Sequence, residues 1–208
     1  MWKIGVDEAG RGPVIGPLVV CAVAIPVDHQ NFLKSAGVKD SKFLTKKKRS
    51  ELEEWFHMNA NTKSWHHSVI ICHPDRIDAS SNNQGLNVLE TELFAEAING
   101  LPDEVKQSVE ILNDACDVKP RRFTDRIANQ LKSWPWINST ITSEHKADEN
   151  DLFVGIASIL AKEMRDRCID AISAELGFSV GSGYPSDPNT QKILPKLLEH
   201  DPHPQLRW

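Results

Sequence analysis

The sequence predicts an α/β domain with a mixed sheet flanked by helices, and three observations carry that reading. Short apolar runs near the N-terminus are separated by glycines and prolines, and helical periodicities then alternate with further short apolar runs. Strands first and alternation afterwards point to a mixed rather than a purely parallel sheet. The 208 residues, 40% of them hydrophobic, suffice for one core and a small appended lobe. A single domain over residues 1–208 is expected, with about 188–208 as a C-terminal helical extension.

Ile4–Asp7 and Leu18–Ile25 read as strands joined by a connection that holds Gly10, Gly12, Pro13, Gly16 and Pro17. Thr45–Ala60 carries charge on most faces and Leu52, Trp55 and Phe56 on one, as an exposed amphipathic helix does. Ser68–Cys72 is a third strand. Asn87 and Glu90 form a capping-box pattern ahead of Leu89, Leu93, Phe94 and Ala97, which predicts a helix ending at Asn99 and Gly100. Val109–Cys116 reads as a strand, Arg121–Trp134 as a basic helix and Ser139–His145 as a polar strand. From Asp151 to Leu176, apolar residues including Leu152, Ile156, Ile159, Leu160 and Met164 keep helical spacing up to Gly177. A short helix near Thr190–His200 precedes a tail containing Pro202 and Pro204.

The formal net charge of −5 does not by itself point to a nucleic-acid partner. Locally, however, Lys39, Lys42, Lys46, Lys47, Lys48 and Arg49 face only Asp40, a stripe able to hold a phosphate backbone. Lys119, Arg121, Arg122 and Arg126 form a second basic group. Cys21, Cys72, Cys116 and Cys168 are too far apart in sequence for a zinc knuckle or a redox dithiol, and read as reduced core thiols of a cytoplasmic protein. Acidic residues arrive before any apolar run could act as a signal peptide. The apolar stretch Pro13–Val27 is broken by Gly16, Pro17 and Pro26 and is shorter than the roughly 20 residues of a spanning helix, so no membrane partner is expected. With no coiled-coil seam in view, a monomer is expected.

Asp7 and Glu8 stand where an apolar strand meets Ala9-Gly10-Arg11-Gly12-Pro13, at a sheet edge. Asp114 lies within the apolar run Val109–Cys116, and Asp148 just before the long helix. One acid at a strand end is more often a turn former or a cap. Clustered carboxylates repel one another and have raised pKa values, whereas a divalent cation between them keeps them ionised. Oxygen-only ligands favour Mg²⁺ or Mn²⁺ over zinc, and two ions about 4 Å apart suit phosphodiester cleavage. Neighbouring strand residues face opposite ways, so Asp7 and Glu8 reach one site only if the strand twists or ends at Glu8, which Gly10 permits. Asp117, Asp151 and Asp166 read instead as a strand-end residue, a helix cap and an exposed helical charge.

Six blocks, Asp7–Pro17 (DEAGRGPVIGP), Asp40–Thr45 (DSKFLT), Asn113–Val118 (NDACDV), His145–Asp148 (HKAD), Ala157–Lys162 (ASILAK) and Gly181–Pro188 (GSGYPSDP), resemble in order those of type 2 ribonuclease H (ribonuclease HII) in its archaeal-like form. The resemblance spans most of the chain and implies a ribonuclease H-like fold. It implies that Asp7, Glu8, Asp114 and Asp148 are the catalytic, metal-binding acids. Asp7 would be shared between two Mg²⁺ or Mn²⁺ ions, Asp148 would complete the water-activating site, and Glu8 with Asp114 would hold the other ion. The implied substrates are RNA–DNA hybrids and duplex DNA with embedded ribonucleotides, cut 5′ to the ribonucleotide to leave a 3′ hydroxyl and a 5′ phosphate.

By the same resemblance Gly10, Arg11 and Gly12 read the ribonucleotide, and glycines do let backbone groups approach a 2′ hydroxyl closely. Tyr184, the only tyrosine, would stack on the sugar beside the scissile junction, and Lys42 and Lys146 would contact phosphate. Cys116 stands where the family frequently has alanine, and Gly155 sits early in the long helix. No Gln-x-x-apolar-x-x-aromatic-aromatic pattern occurs near Trp208, so sliding-clamp docking is not expected. A DNA-cutting two-metal nuclease of the same fold would have no ribose for the glycine loop and Tyr184 to read. A binding protein without catalysis would be expected to lack one or more of the acids.

Overall fold

The computed structural model describes residues 1–38, 44–83, 85–198 and 205–207. Five strands, β1 (Trp2–Ala9), β2 (Leu18–Pro26), β3 (His66–Cys72), β4 (Val109–Asp114) and β5 (Thr140–Glu144), form one sheet in the order β3-β2-β1-β4-β5. The first three are antiparallel neighbours, whereas β4 and β5 run parallel to β1. The helices are α1 (Gln30–Ala36), α2 (Lys46–Lys63), α3 (Pro74–Asn83), α4 (Leu86–Asn99), α5 (Pro120–Ala128), α6 (Ala147–Asn150), α7 (Leu152–Leu176) and α8 (Pro188–Leu198). This is the mixed sheet flanked by helices that the pattern of runs predicts. No helix among the described residues is long and apolar enough to cross a membrane.

Alternation along β1 and β2 divides the core. Ile4, Val6, Val20 and Ala22 face Leu93, Phe94 and Phe123 of α4 and α5, while Val19, Cys21, Val23 and Ile25 face Phe56 of α2 and Ile156, Ile159 and Leu160 of α7. Gly5 lies on the α7 side, where a Cβ would overlap the backbone of Phe153, so this glycine lets α7 lie directly against β1. A smaller cluster joins Ile15, Ile169, Ile172, Val180, Leu197 and Leu206, fixing α8 and the described tail to the far end of α7.

Several elements differ from the sequence-based expectation. The strand expected over Val109–Cys116 stops at Asp114, and the basic helix expected over Arg121–Trp134 stops at Ala128. The short helices α1, α3 and α6 were not anticipated. The capping box of Asn87 and Glu90 does not form: α4 begins at Leu86 with Gly85 as its N-cap and no side-chain cap bond. None of the four cysteines is bridged; Cys21 and Cys72 are buried, while Cys116 and Cys168 are half-buried rather than core thiols.

Candidate active site

The parallel ladder between β1 and β4 ends at Val6 opposite Asn113, so the next residue of each strand, Asp7 and Asp114, emerges side by side at the open end of the sheet. Glu8 follows in β1 and faces the α4 side. The strand continues to Ala9 rather than ending at Glu8, and the side chains converge because β4 stops beside them. Carboxylate oxygens of Asp7, Glu8 and Asp114 lie within 4.8 Å of one another. Asp148 reaches the same cleft from α6. Its short helix is tied to the cluster because Ala147 N–H donates to Asp114 Oδ1 at 2.8 Å.

Asp7 is 3% exposed. Burial, then Glu8 and Asp114, push its carboxyl well above the usual carboxylate range, with Ser158 and Lys162 of α7 opposing. Glu8 Oε2 is buried with no hydrogen-bond partner among the described residues. Three crowded carboxylates with an unsatisfied buried oxygen match the oxygen-only donor set of a hard divalent cation, so the residues fit such an ion. Asp151, as expected, is a cap: its Oδ1 accepts from Phe153 and Val154 N–H at 2.9 and 3.2 Å.

The cleft these acids line has a volume of about 410 Å³, and the segment Gly10–Gly12 and Tyr184 line it too. Gly10 has φ of +94°, and a Cβ there would sit 2.5 Å from Arg165 Nε and 2.7 Å from the Pro17 carbonyl. Arg165 is 4% exposed, donates to the Ser182 carbonyl at 3.0 Å and places its guanidinium 4.9 Å from the Tyr184 ring centre. From the tail, Arg207 donates to the carbonyls of Gly10 and Gly16, both at 2.6 Å. The resemblance assigns Arg11 to the substrate-reading segment through its backbone, and that role is compatible with a side chain held by the protein. Its guanidinium is engaged by Glu90, Asn87 and the Cys116 carbonyl. Glu90 is fully buried, and burial, with Glu8 next, pushes its carboxyl up to about 8 although Arg11 opposes.

Other site residues divide. Lys42 lies outside the described residues. Lys146 is exposed, pairs with Glu149 at 3.3 Å and does not line the cleft. Asp166, read as an exposed helical charge, lines the cleft and accepts from Arg49 at 2.7 Å, while Arg49 also donates to Glu163 at 2.8 Å. Asp117, read as a strand-end residue, is 1% exposed and paired with Arg122, whose hydrogen bonds hold its carboxyl down to about 2. The second basic group is therefore partly an internal ion-pair network. Sequence reasoning missed Glu90, Arg165 and Arg207. Only the Asn-x-x-Glu spacing offered a signal, and it pointed to a local cap.

The ribonuclease HII family model matches residues 4–207. Ribonuclease HII of Pyrococcus abyssi (strain GE5 / Orsay) is 44% identical over 194 residues, covering 93% of this chain and 80% of that protein. The Methanocaldococcus jannaschii protein of the same name is 39% identical over 200 residues, covering 93% and 84%. Among solved structures, ribonuclease H2 from Pyrococcus horikoshii OT3 superposes with a TM-score of 0.84 at 38% identity, covering all of this chain and 92% of that one. The Archaeoglobus fulgidus RNase HII, solved in complex with PCNA, gives 0.83 at 33% identity, covering all of this chain and 94% of that one. A 19% identical Bst-RNase HIII, solved with Mn²⁺, shares the fold at 0.77, with 97% and 63% coverage. A match over nearly the whole chain and an acidic cluster at the end of a mixed sheet agree: this chain belongs to the ribonuclease HII family and is a metal-dependent ribonuclease H endonuclease.

Proposed function

We propose that the chain hydrolyses the RNA strand of RNA–DNA hybrids and nicks duplex DNA on the 5′ side of an embedded ribonucleotide, leaving a 3′ hydroxyl and a 5′ phosphate. The observation that carries this reading is that the acidic cluster, the Gly10–Gly12 backbone and Tyr184 line one cleft. Asp7, Glu8, Asp114 and Asp148 hold two divalent ions, Mg²⁺ or Mn²⁺. When bound, the ions supply activation of the attacking water and charge neutralisation at the leaving 3′ oxygen.

The chain's own groups do the rest. Gly10–Gly12 has no bulky backbone neighbour on its cleft side at Gly12, where a Cβ would find only Tyr184 at 3.9 Å, so its peptide groups can meet a 2′ hydroxyl directly. Tyr184 stands 37% exposed over Arg165, ready to stack on the adjacent sugar. Lys162 brings positive charge to the acids from α7, and Lys42 and Lys146 contact duplex phosphates. All these residues belong to one chain folded as one domain, so a monomer suffices for the reaction.

The test is incubation of the purified protein with Mg²⁺ or Mn²⁺ and a DNA duplex carrying one ribonucleotide, beside the Asp7→Asn variant. A nick 5′ to the ribonucleotide that the variant does not make is expected. No nick, or equal cutting by the variant, would sink the reading.

A further inference from the structure

We propose that Glu90, assisted by Asn87, is a positioning residue for ribonucleotide recognition: it anchors Arg11 and thereby fixes where the Gly10–Gly12 backbone meets the ribose. The inference deepens the functional reading above and rests on it. Asn87 and Glu90 are three residues apart near the start of α4 and so share a face, which is turned to the loop after β1. Arg11 Nε lies 2.9 Å from Glu90 Oε1, Nη2 donates to Asn87 Oδ1 at 2.6 Å, and Nη1 donates to the Cys116 carbonyl at 3.0 Å. The planar fork thus joins three separate segments: the loop, the turn after Asp114 and the start of α4.

Two features make this contact more than packing. Glu90 is 0% exposed, and Arg11 is its one ion-pair partner among the described residues. Neither carboxylate oxygen makes a well-formed hydrogen bond. A buried carboxylate held this thinly stabilises a fold less than an apolar side chain of similar volume, so stability does not account for it. Arg11 is also the one side chain between two glycines, and neither Gly10 nor Gly12 can brace the segment by side-chain packing. With Arg207 fixing the Gly10 carbonyl on one side, the groups that hold the Arg11 guanidinium fix the side chain's own peptide and the approach to Gly12.

The test uses the full chain, Mg²⁺ and the single-ribonucleotide duplex, with kcat and KM measured for the wild type, Glu90→Ala, Glu90→Gln, Arg11→Ala and the Arg11→Ala/Glu90→Ala double variant. A misplaced loop predicts a kcat/KM loss on the order of tenfold to a hundredfold for Glu90→Ala. Glu90→Gln, which keeps an acceptor facing Arg11, recovers most of it. The double variant is no worse than Arg11→Ala alone, and the Mg²⁺ dependence stays that of the wild type. If Glu90→Ala does not fold by circular dichroism, Asn87→Ala replaces it, with a smaller loss that vanishes in the Arg11→Ala background. Losses that multiply, or an Ala variant as active as the wild type, overturn this inference alone. A wild type that makes no nick overturns the functional reading, and this inference with it.

Discussion

On one wall of the cleft, Asp7, Glu8 and Asp114 crowd like charges with a buried oxygen of Glu8 left unsatisfied. At the glycine loop, Arg11, Arg165 and, from behind it, Arg207 point cations at backbone carbonyls and at Glu90, so this second wall is braced without any ligand. The difference separates two kinds of preparation. The acidic wall is complete only with divalent cations, and holding it ready costs stability. The arginine wall is finished when the chain folds, so its geometry is available to select a sugar before chemistry begins.

Asp7→Asn breaks the acidic wall alone. Cleavage in a single-turnover assay should fall by about three orders of magnitude or more, the scale of losing a central electrostatic contact in an active site. The metal-free variant should melt no lower than the wild type, because a repelled buried charge has been removed. Gly10→Ala breaks the other wall by driving a Cβ into Arg165 and the Pro17 carbonyl. The expected loss of kcat/KM is roughly a hundredfold, with the thermal stabilisation by Mg²⁺ retained.

Stability against pH sharpens the same contrast. Both Asp7 and Glu90 have carboxyls raised in the folded state, so each holds its proton more tightly there than in the unfolded chain. Such groups contribute stability that is present below the unfolded pKa and lost as pH rises through the folded one. For Glu90 that window runs from 4.5 to about 8. The melting temperature of the metal-free protein should therefore decline across this window. Saturating Mg²⁺, at 100-fold its Kd, should restore about 2.7 kcal/mol, a gain that calorimetry should find much reduced in Asp7→Asn. The smallest effect belongs to Lys146→Ala, outside both walls. It should change cleavage less than about twofold and lower the salt dependence of binding by about one phosphate contact.

The acidic wall was legible in sequence for a physical reason. A carboxylate in an apolar strand is costly, and Asp7 and Asp114 each interrupt such a run, so their purpose shows locally. The arginine wall was not, because its partners are remote. Arg11 meets Asn87 across 76 positions and Arg207 meets Gly10 across 197. Asn87 and Glu90 have the spacing of a capping box, and nothing in the local pattern says that the helix starts two residues earlier and lends both side chains to another loop. Arg165 resembles any polar position on a long helix, yet it is buried because the Ser182 carbonyl and the Tyr184 ring receive its guanidinium. Strand and helix order survived this blindness, since the β1 and β2 runs and the periodicity of α7 are local properties.

Gly5 gives the long helix a further role. With no side chain to hold it off, α7 is seated on β1 at Phe153, and everything beyond that seat is measured out along the helix axis. Ser158, Lys162 and Asp166 recur every four residues, a stripe of about 12 Å at 1.5 Å per residue. The helix is thus a gauge with its zero at Gly5. Deleting one residue between Phe153 and Ser158 would rotate the whole stripe by about 100° and slide it by about 1.5 Å, withdrawing Lys162 and Asp166 from the cleft together. Substitutions on this stripe change one contact at a time, whereas an insertion or deletion moves all of them.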